Sequence, residues 1–357
     1  VKILFDCRYT RLERHDGISR YTAGLVTALG ALHPVTMLIS DRRQLSMLPD
    51  LPWVMGPSPT GLTEPLASVL LNKHNPDVVF TPMQTMGPWG RRFRLVSTVH
   101  DLIYYSNPTP PRNLPWPIRL IWRLYHLSWA PQRLLLRSAD EHVAVSQTTR
   151  QLMIDNRLTP HPITIVSDAV EPPESVRETP SRERTLVYMG SFMPYKNVEL
   201  LMHAMHLLPG YHLHLLSRAS ASDEHRLRAL APATSVTFHG GVTDAQYQQL
   251  LSTATALVTA SLAEGFGLPL VESMAEGTPV VVSDTPVFRE IGGEAAVYFD
   301  PESTAAFAGA IRSLEDDDRW MSRSRLSTQQ ASAYRWENSA RALLHVLQRV
   351  SSTTPER

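Results

Sequence analysis

The residues best suited to chemistry lie between Glu264 and Glu272, where two carboxylates bracket Gly-Phe-Gly-Leu-Pro-Leu-Val. Gly265 and Gly267 let backbone come close to a bound group, and the free amides of a helix start attract anionic oxygens. A phosphate suits the loop, but the carboxylates would repel it unless they faced neutral hydroxyls that donate hydrogen bonds to them. A ligand carrying both phosphate and hydroxyl groups, such as a nucleotide sugar, satisfies both demands.

A second position stands out by composition. Only three of the 34 basic residues are lysines, Lys2, Lys73 and Lys196, so a basic site with no special demand would be arginine. Lys196 follows Gly190-Ser191 and precedes a helix expected from Val198, a place where the helix dipole disfavours a cation unless an anion shares the site. A compact ammonium fits a diphosphate at close quarters. In the first half, Gly17 opens a helix expected over 18–32 and so makes an anion-accepting turn. His100 and Asp101 end an apolar run, where catalytic residues of parallel sheets often sit. The remaining histidines lack supporting ligands: His203 and His206 fit helix spacing, and His212 and His214 alternate on one strand. No metal site is expected, and Asp316-Asp317-Asp318 reads as a solvated helix end.

These residues need a scaffold that presents loops at strand ends. Short apolar runs alternate with helix-like segments: Ile3–Phe5, Val35–Ile39, Val78–Phe80, Leu95–Val99, Val143–Val145 and Ile163–Val166 in one half. The other half has Thr185–Met189, Tyr211–Leu216, Val236–Phe238, Ala256–Thr259, Pro279–Val282 and Ala296–Phe299. Such alternation predicts parallel sheets flanked by helices. A polar, proline-bearing stretch from Asp168 to Arg184 reads as the linker between two domains, the default for 357 residues. The last helix, from Trp336 to Val350, reads equally as a terminal amphipathic helix.

Bulk properties narrow the partners. With 34 basic and 34 acidic residues the formal charge is zero, which gives no reason to expect nucleic acid. The single cysteine, Cys7, lies on an apolar strand and reads as packing. No run approaches the roughly 18 apolar residues of a membrane span, and Val1–Phe5 meets Asp6 too soon for a signal peptide. A cytoplasmic protein is expected. From Arg112 to Arg137, tryptophans 116, 122 and 129 and Tyr125 interleave with arginines. That pattern fits the core face of a helix kinked at Pro131, an acceptor-saccharide platform, or peripheral contact with the inner face of an anionic membrane, the last ranked below the others taken together.

Glu264-x7-Glu272 around Gly-Phe-Gly-Leu-Pro resembles the donor-site signature of glycosyltransferase family four, the retaining family with the GT-B fold. Gly17-Ile-Ser-Arg20-Tyr21 is similar to the Gly-Ile-Gly-Arg-Tyr loop of many of its mannosyl- and related transferases. The resemblance implies an α/β protein of two Rossmann-like domains facing across a cleft, with a C-terminal helix crossing back to the first. Residues 1–168 would form the acceptor-side domain, 169–184 the linker, 185–335 the donor domain, and 336–357 the crossover helix and tail. Glu264 would then lie near the transferred sugar and Glu272 would hold the ribose. The loop amides of Phe266, Gly267 and Leu268 would approach sugar and diphosphate oxygens, Lys196 and Gly17 would bind phosphate, and His100 would line the acceptor side. Many relatives carry arginine where this chain has Ser191. Arg20 or Arg218 would have to supply that charge, and Asp101 would add an acceptor contact.

The implied activity is metal-independent, cofactor-free retaining transfer of a hexose to a hydroxyl of a mannoside or oligosaccharide, as in elongation of an oligomannoside. GDP-mannose is the first expectation for the donor. A UDP-hexose enzyme acting on a lipid-linked acceptor is the alternative. A GT-B phosphorylase is the second enzyme alternative, but this chain shows no lysine placed for a pyridoxal cofactor and is short for that class. A sugar-nucleotide-binding protein with an incomplete clamp is the non-enzyme alternative.

Overall fold

The computed structural model describes residues 1–110, 115–173, 176–177, 179–180 and 183–352. Arg112, parts of the expected linker and the tail beyond 352 lie outside these residues. The chain divides into two compact units, one built from 1–110, 115–169 and 335–352, the other from Val170–Tyr334.

The first unit holds a parallel sheet of seven strands: β1 (Ile3–Asp6), β2 (Val35–Ile39), β3 (Trp53–Met55), β4 (Val78–Thr81), β5 (Arg94–Val99), β6 (Glu141–Ala144) and β7 (Ile163–Ile165). Their order is β3-β2-β1-β4-β5-β6-β7. β1, β4 and β6 are buried along their whole length, as strands covered on both faces must be. β1 and β4 read as apolar runs for that reason, whereas β6 opens on the buried Glu141 and His142 and shows its apolar signal only from Val143. β3 escapes that signal. It is a three-residue edge strand with Trp53 and Met55 exposed, ordered by its register on β2 (Met37↔Trp53, Ile39↔Met55). The chain builds outward from β1 in one direction and from β4 in the other, so the strand order reverses between them.

The C-terminal helix Trp336–Ser352 belongs to this first unit. It packs along the helix Gly17–Leu32, where a Cβ on Gly24 would come within 2.3 Å of the Trp336 indole. Glycine is needed there because the ring already fills the space. Ser339 Oγ donates to the Ser167 carbonyl at 2.8 Å, and Arg349 pairs with the buried Glu141 carboxylate, which also accepts from Thr164 Oγ1. Leu343, Val346 and Leu347 are fully buried. The crossing-back arrangement therefore replaces the ordinary terminal helix as the reading of this segment.

The second unit holds six parallel strands, β8 (Thr185–Tyr188), β9 (His212–Leu215), β10 (Val236–Phe238), β11 (Ala256–Thr259), β12 (Val280–Ser283) and β13 (Val297–Phe299), in the order β10-β9-β8-β11-β12-β13. Here the order reverses between β8 and β11. The buried Trp320 ring seals one side of the core, with its Nε1 donating to the Thr255 carbonyl at 2.9 Å.

Two local expectations change. The aromatic segment after residue 115 is not one helix kinked at Pro131 but two, Trp116–Tyr125 and Ala130–Leu136. Pro131 sits in the first turn of the second, where its missing N–H is no loss. The first of them buries none of its residues, so it offers no core face. The acidic triplet begins a helix, Asp317–Ala331, with the Asp316 carboxylate capping the Arg319 N–H at 2.8 Å.

Candidate active site

Open parallel sheets bind ligands beyond the carboxyl ends of their strands, at the point where strand order reverses. In the second unit that point lies between β8 and β11, which pair directly (Ala256↔Leu186, Leu257↔Val187). The loops that follow them carry Lys196 and Glu264. Lys196 closes a single 3-10 turn, Pro194–Lys196. Asn197 then adopts a left-handed conformation (φ 50°), its amide donating to the Pro301 carbonyl at 2.9 Å, before the helix Val198–Ala204 starts. Lys196 Nζ lies 2.6 Å from Glu264 Oε1, with the two side chains 15% and 14% exposed. This is a shielded ion pair, not a solvated lysine, and it joins two residues expected in separate roles. The Leu262 N–H donates to the Tyr195 carbonyl at 2.8 Å, tying the same two loops by backbone.

The rest of the glycine loop is built for backbone exposure. Gly267 has φ +98°, which strains any side-chain-bearing residue, and a Cβ there would meet the Phe288 ring at 3.1 Å, so the ring would also have to give by a few tenths of an ångström. The helix it introduces, Leu268–Ala275, has no side-chain cap, and Pro269 brings no N–H. Its positive end is thus left to whatever acceptor approaches near Leu268. The Phe266 ring is buried and set edge-on against Tyr334 at 5.4 Å, so it packs the loop and leaves the ligand role expected of this residue to its backbone amide. Glu272 lies just over one helical turn beyond Leu268, partly buried. Ser191 is exposed, its carbonyl accepting from the Tyr188 hydroxyl at 2.6 Å. Arg218, exposed beyond β9, leans on the Gly240 carbonyl at 3.4 Å.

In the first unit the strand order reverses between β1 and β4. The loop after β1 is anchored by Arg8, which sequence reasoning passed over. Its buried guanidinium forks onto Asp6 (Nε to Oδ1 2.8 Å, Nη2 to Oδ2 2.9 Å) and onto Glu64 (Nη1 to Oε2 2.6 Å). Burial pulls its pKa down, but Asp6 and Glu64 outweigh that and raise it. Asp6-x-Arg8 at a strand end was the available signal. Gly17 does open the helix, with nothing within 4 Å of where a Cβ would sit. The turn is not simply an open anion site, however. The Asp16 carboxylate already caps the Ser19 N–H at 2.9 Å and pairs with Arg11 Nε at 2.7 Å. Arg20 lies in the same first turn, its N–H on the Asp16 carbonyl.

His100 follows β5, with Nε2 2.7 Å from the Pro82 carbonyl. A carbonyl only accepts, so Nε2 carries the proton and Nδ1 is the ring's acceptor. Burial drives its pKa down to about 4, against the opposing pull of the Pro82 carbonyl and Asp16, which keeps the imidazole neutral near pH 7. His100 lines a cavity of about 200 Å³ together with Asp101, Tyr104, Tyr105, Tyr125 and Gln132. Asp101 is partly committed to local structure, accepting from the Ile103 N–H at 3.1 Å. Gln132 donates to Gln84 Oε1 at 2.6 Å and accepts from the Tyr125 hydroxyl at 3.4 Å. Tyr105 stacks on Trp129 at 3.8 Å, and Tyr104 meets Trp122 edge-on at 4.8 Å. Planar rings and paired amides of this kind suit a sugar's alternating apolar and hydroxyl faces. The interleaved aromatics were visible in the sequence; the glutamines were not distinctive.

His214 Nδ1 lies 3.0 Å from His239 Nε2, and burial plus the flanking His212 and His239 lower the His214 pKa to about 4. Among the described residues no group of three or more His, Cys, Asp or Glu is arranged to hold a metal ion.

Residues 15–173 match the model of Glycosyltransferase Family 4, and residues 173–333 match that of Glycosyl transferases group 1. The O-antigen chain mannosyltransferase RfbU of Salmonella typhimurium is 29% identical over 157 residues, 43% of this chain and 44% of that protein. The MMP alpha-(1->4)-mannosyltransferase of Mycolicibacterium hassiacum is 27% identical over 241 residues, 65% of this chain and 59% of that protein. Both matches thus span less than two thirds of the relatives' own length. Among solved structures, the sucrose-phosphate synthase of Thermosynechococcus elongatus superposes with a TM-score of 0.75 at 20% identity, over 99% of this chain and 100% of that one.

Proposed function

The chain belongs to the family 4 glycosyltransferases of GT-B fold, and from that premise we propose that it transfers a mannosyl residue from GDP-mannose to a hydroxyl of a mannoside or oligosaccharide. The observation that carries the proposal is the shielded Lys196–Glu264 pair at the strand-order reversal, beside an uncapped helix start. A nucleotide sugar answers both charges of that pair: its diphosphate takes the ammonium, and its hydroxyls donate to the carboxylate. The mannosyltransferase names of the relatives and the Gly17-Ile-Ser-Arg20-Tyr21 loop support mannose as the sugar.

In this reading the bond from the anomeric carbon to the diphosphate oxygen breaks as Lys196 and the amides near Gly267 and Leu268 stabilise the departing charge. The acceptor oxygen bonds to the anomeric carbon on the face the diphosphate leaves, retaining configuration, and its proton passes to a diphosphate oxygen. Glu264 positions the sugar and Glu272 the ribose. His100 offers Nδ1 to a sugar hydroxyl; at a pKa of about 4 it positions by accepting a hydrogen bond and is a poor general base at neutral pH. Turnover is expected to persist in EDTA, and a cytoplasmic location goes with the nucleotide-sugar donor.

The test is to supply GDP-mannose, UDP-glucose or UDP-N-acetylglucosamine with a panel of mannosides and follow nucleotide release together with product mass. GDP release with one hexose added is the expected result. Transfer from a UDP-sugar alone would overturn the donor, and donor binding without product on any acceptor would leave a sugar-nucleotide-binding protein.

A further inference from the structure

Among the described residues, the helix Trp116–Tyr125 is held to the first unit along one side, where Trp122 meets Tyr104 and Tyr125 reaches Gln132. Its other side is a row of large apolar residues left in solvent: Trp116 is 76% exposed, Leu120 51%, Ile121 65% and Leu124 58%, continued by Leu127 at 77%. Trp116, Leu120, Leu124 and Leu127 follow the spacing of one helical face. Scattered apolar residues on a surface need no explanation, but a contiguous row on one helix does. Charge sets its limits. Between Asp101 and Asp140 the sequence carries five arginines and no carboxylate, and two of the arginines, Arg119 and Arg123, lie on this helix.

We propose that this helix docks the protein on an anionic lipid bilayer surface, lying in the plane of the interface with its leucine row among the acyl chains and Arg119 and Arg123 at the phosphates. The composition is that of an interfacial helix: an apolar face, an arginine-bearing flank and tryptophan at the boundary. A second copy of the chain fits less well. A two-fold contact sets each patch against itself, so arginines would face arginines with no acidic residue on the segment to offset them. The absence of a membrane-spanning helix among the described residues is consistent with surface docking, which needs none. Tyr125 also lines the cavity that holds His100, so the docked helix and the proposed acceptor side share a wall.

Docking is independent of the donor and is tested without turnover. The full chain is sedimented with vesicles of phosphatidylcholine alone and of phosphatidylcholine with phosphatidylglycerol, at low and high sodium chloride. The expected result is co-sedimentation with the anionic vesicles that weakens with salt. Arg119→Gln with Arg123→Gln should lower vesicle affinity about fivefold per arginine, and Leu120→Ser with Leu124→Ser about tenfold per leucine. All four sites are on the helix's solvent-facing or flanking positions, and unchanged circular dichroism melts identify the variants as folded. Equal binding to neutral and anionic vesicles, no binding to either, or leucine variants that bind like the parent would overturn the proposal. So would a dimer, seen by light scattering, that the leucine substitutions dissolve.

Discussion

Lys196 and Glu264 allow the structural and the chemical contributions of one pair to be separated by a double-mutant cycle. At 2.6 Å, two unit charges in an effective dielectric near 20 attract by roughly 6 kcal/mol, most of which is offset by the cost of removing both from water. Lys196→Met alone leaves a shielded carboxylate without its cation, and Glu264→Gln alone leaves the ammonium. With the side chains 15% and 14% exposed, each single change should destabilise the second unit by about 3 kcal/mol, the low end for a buried pair. The double variant should recover most of that loss in urea titrations, because neither charge remains to be desolvated. Turnover should behave differently. If Lys196 stabilises the departing diphosphate, both Lys196→Met and the double variant lose roughly 100- to 1000-fold in kcat, as for removal of one preorganised charge donor. A double variant that regained kcat along with stability would refute the reasoning, since Lys196 would then serve only to hold Glu264 in place.

The first unit should lose stability on acidification. His142 is fully buried between Ser97 Oγ at 2.8 Å and the Leu136 carbonyl at 2.9 Å, and burial lowers its pKa to about 4, as it does that of His100. A folded pKa below the unfolded value near 6.5 means that the unfolded chain binds more protons, so this stability is complete above about 6.5 and is lost as pH falls toward 4. By pH 5 the loss is about 2 kcal/mol for each histidine, read from urea midpoints at pH 7 and 5; identical midpoints would show both rings to be solvated in the fold. Arg8→Met should cost about 3–5 kcal/mol by stranding Asp6 and Glu64, and adding Asp6→Asn and Glu64→Gln should recover much of it. Denaturation curves in which the single variant matched the parent would remove Arg8 as the anchor of the loop after β1.

The local features were legible because local chemistry produces them. Strands buried on both faces appear as apolar runs, and β2 and β11 occupy the ranges those runs predict. Proline in a first turn and glycine before it announced the helix at Leu268. Where burial is absent the signal fails: β3 is exposed at an edge, and the helix Trp116–Tyr125 turns its apolar row to solvent, so a core face was a reasonable but incorrect expectation. Phe266 shows the complementary limit. Its place in the motif was readable, but the direction of its ring depends on Tyr334, which lies 68 residues further along.

By itself, the sequence determined which buried apolar segments become strands, where the glycine loop lies, and that Lys196 is an unusual choice of cation. Tertiary structure alone decided that β8 neighbours β11, which brings Lys196 within 2.6 Å of a carboxylate 68 positions away, and that Trp336 occupies the space above Gly24. Periodicity and turn chemistry are properties of a few consecutive residues. Strand order and side-chain partners are fixed only when whole faces pack, because the free energy that selects them is gained from surfaces far apart in the chain.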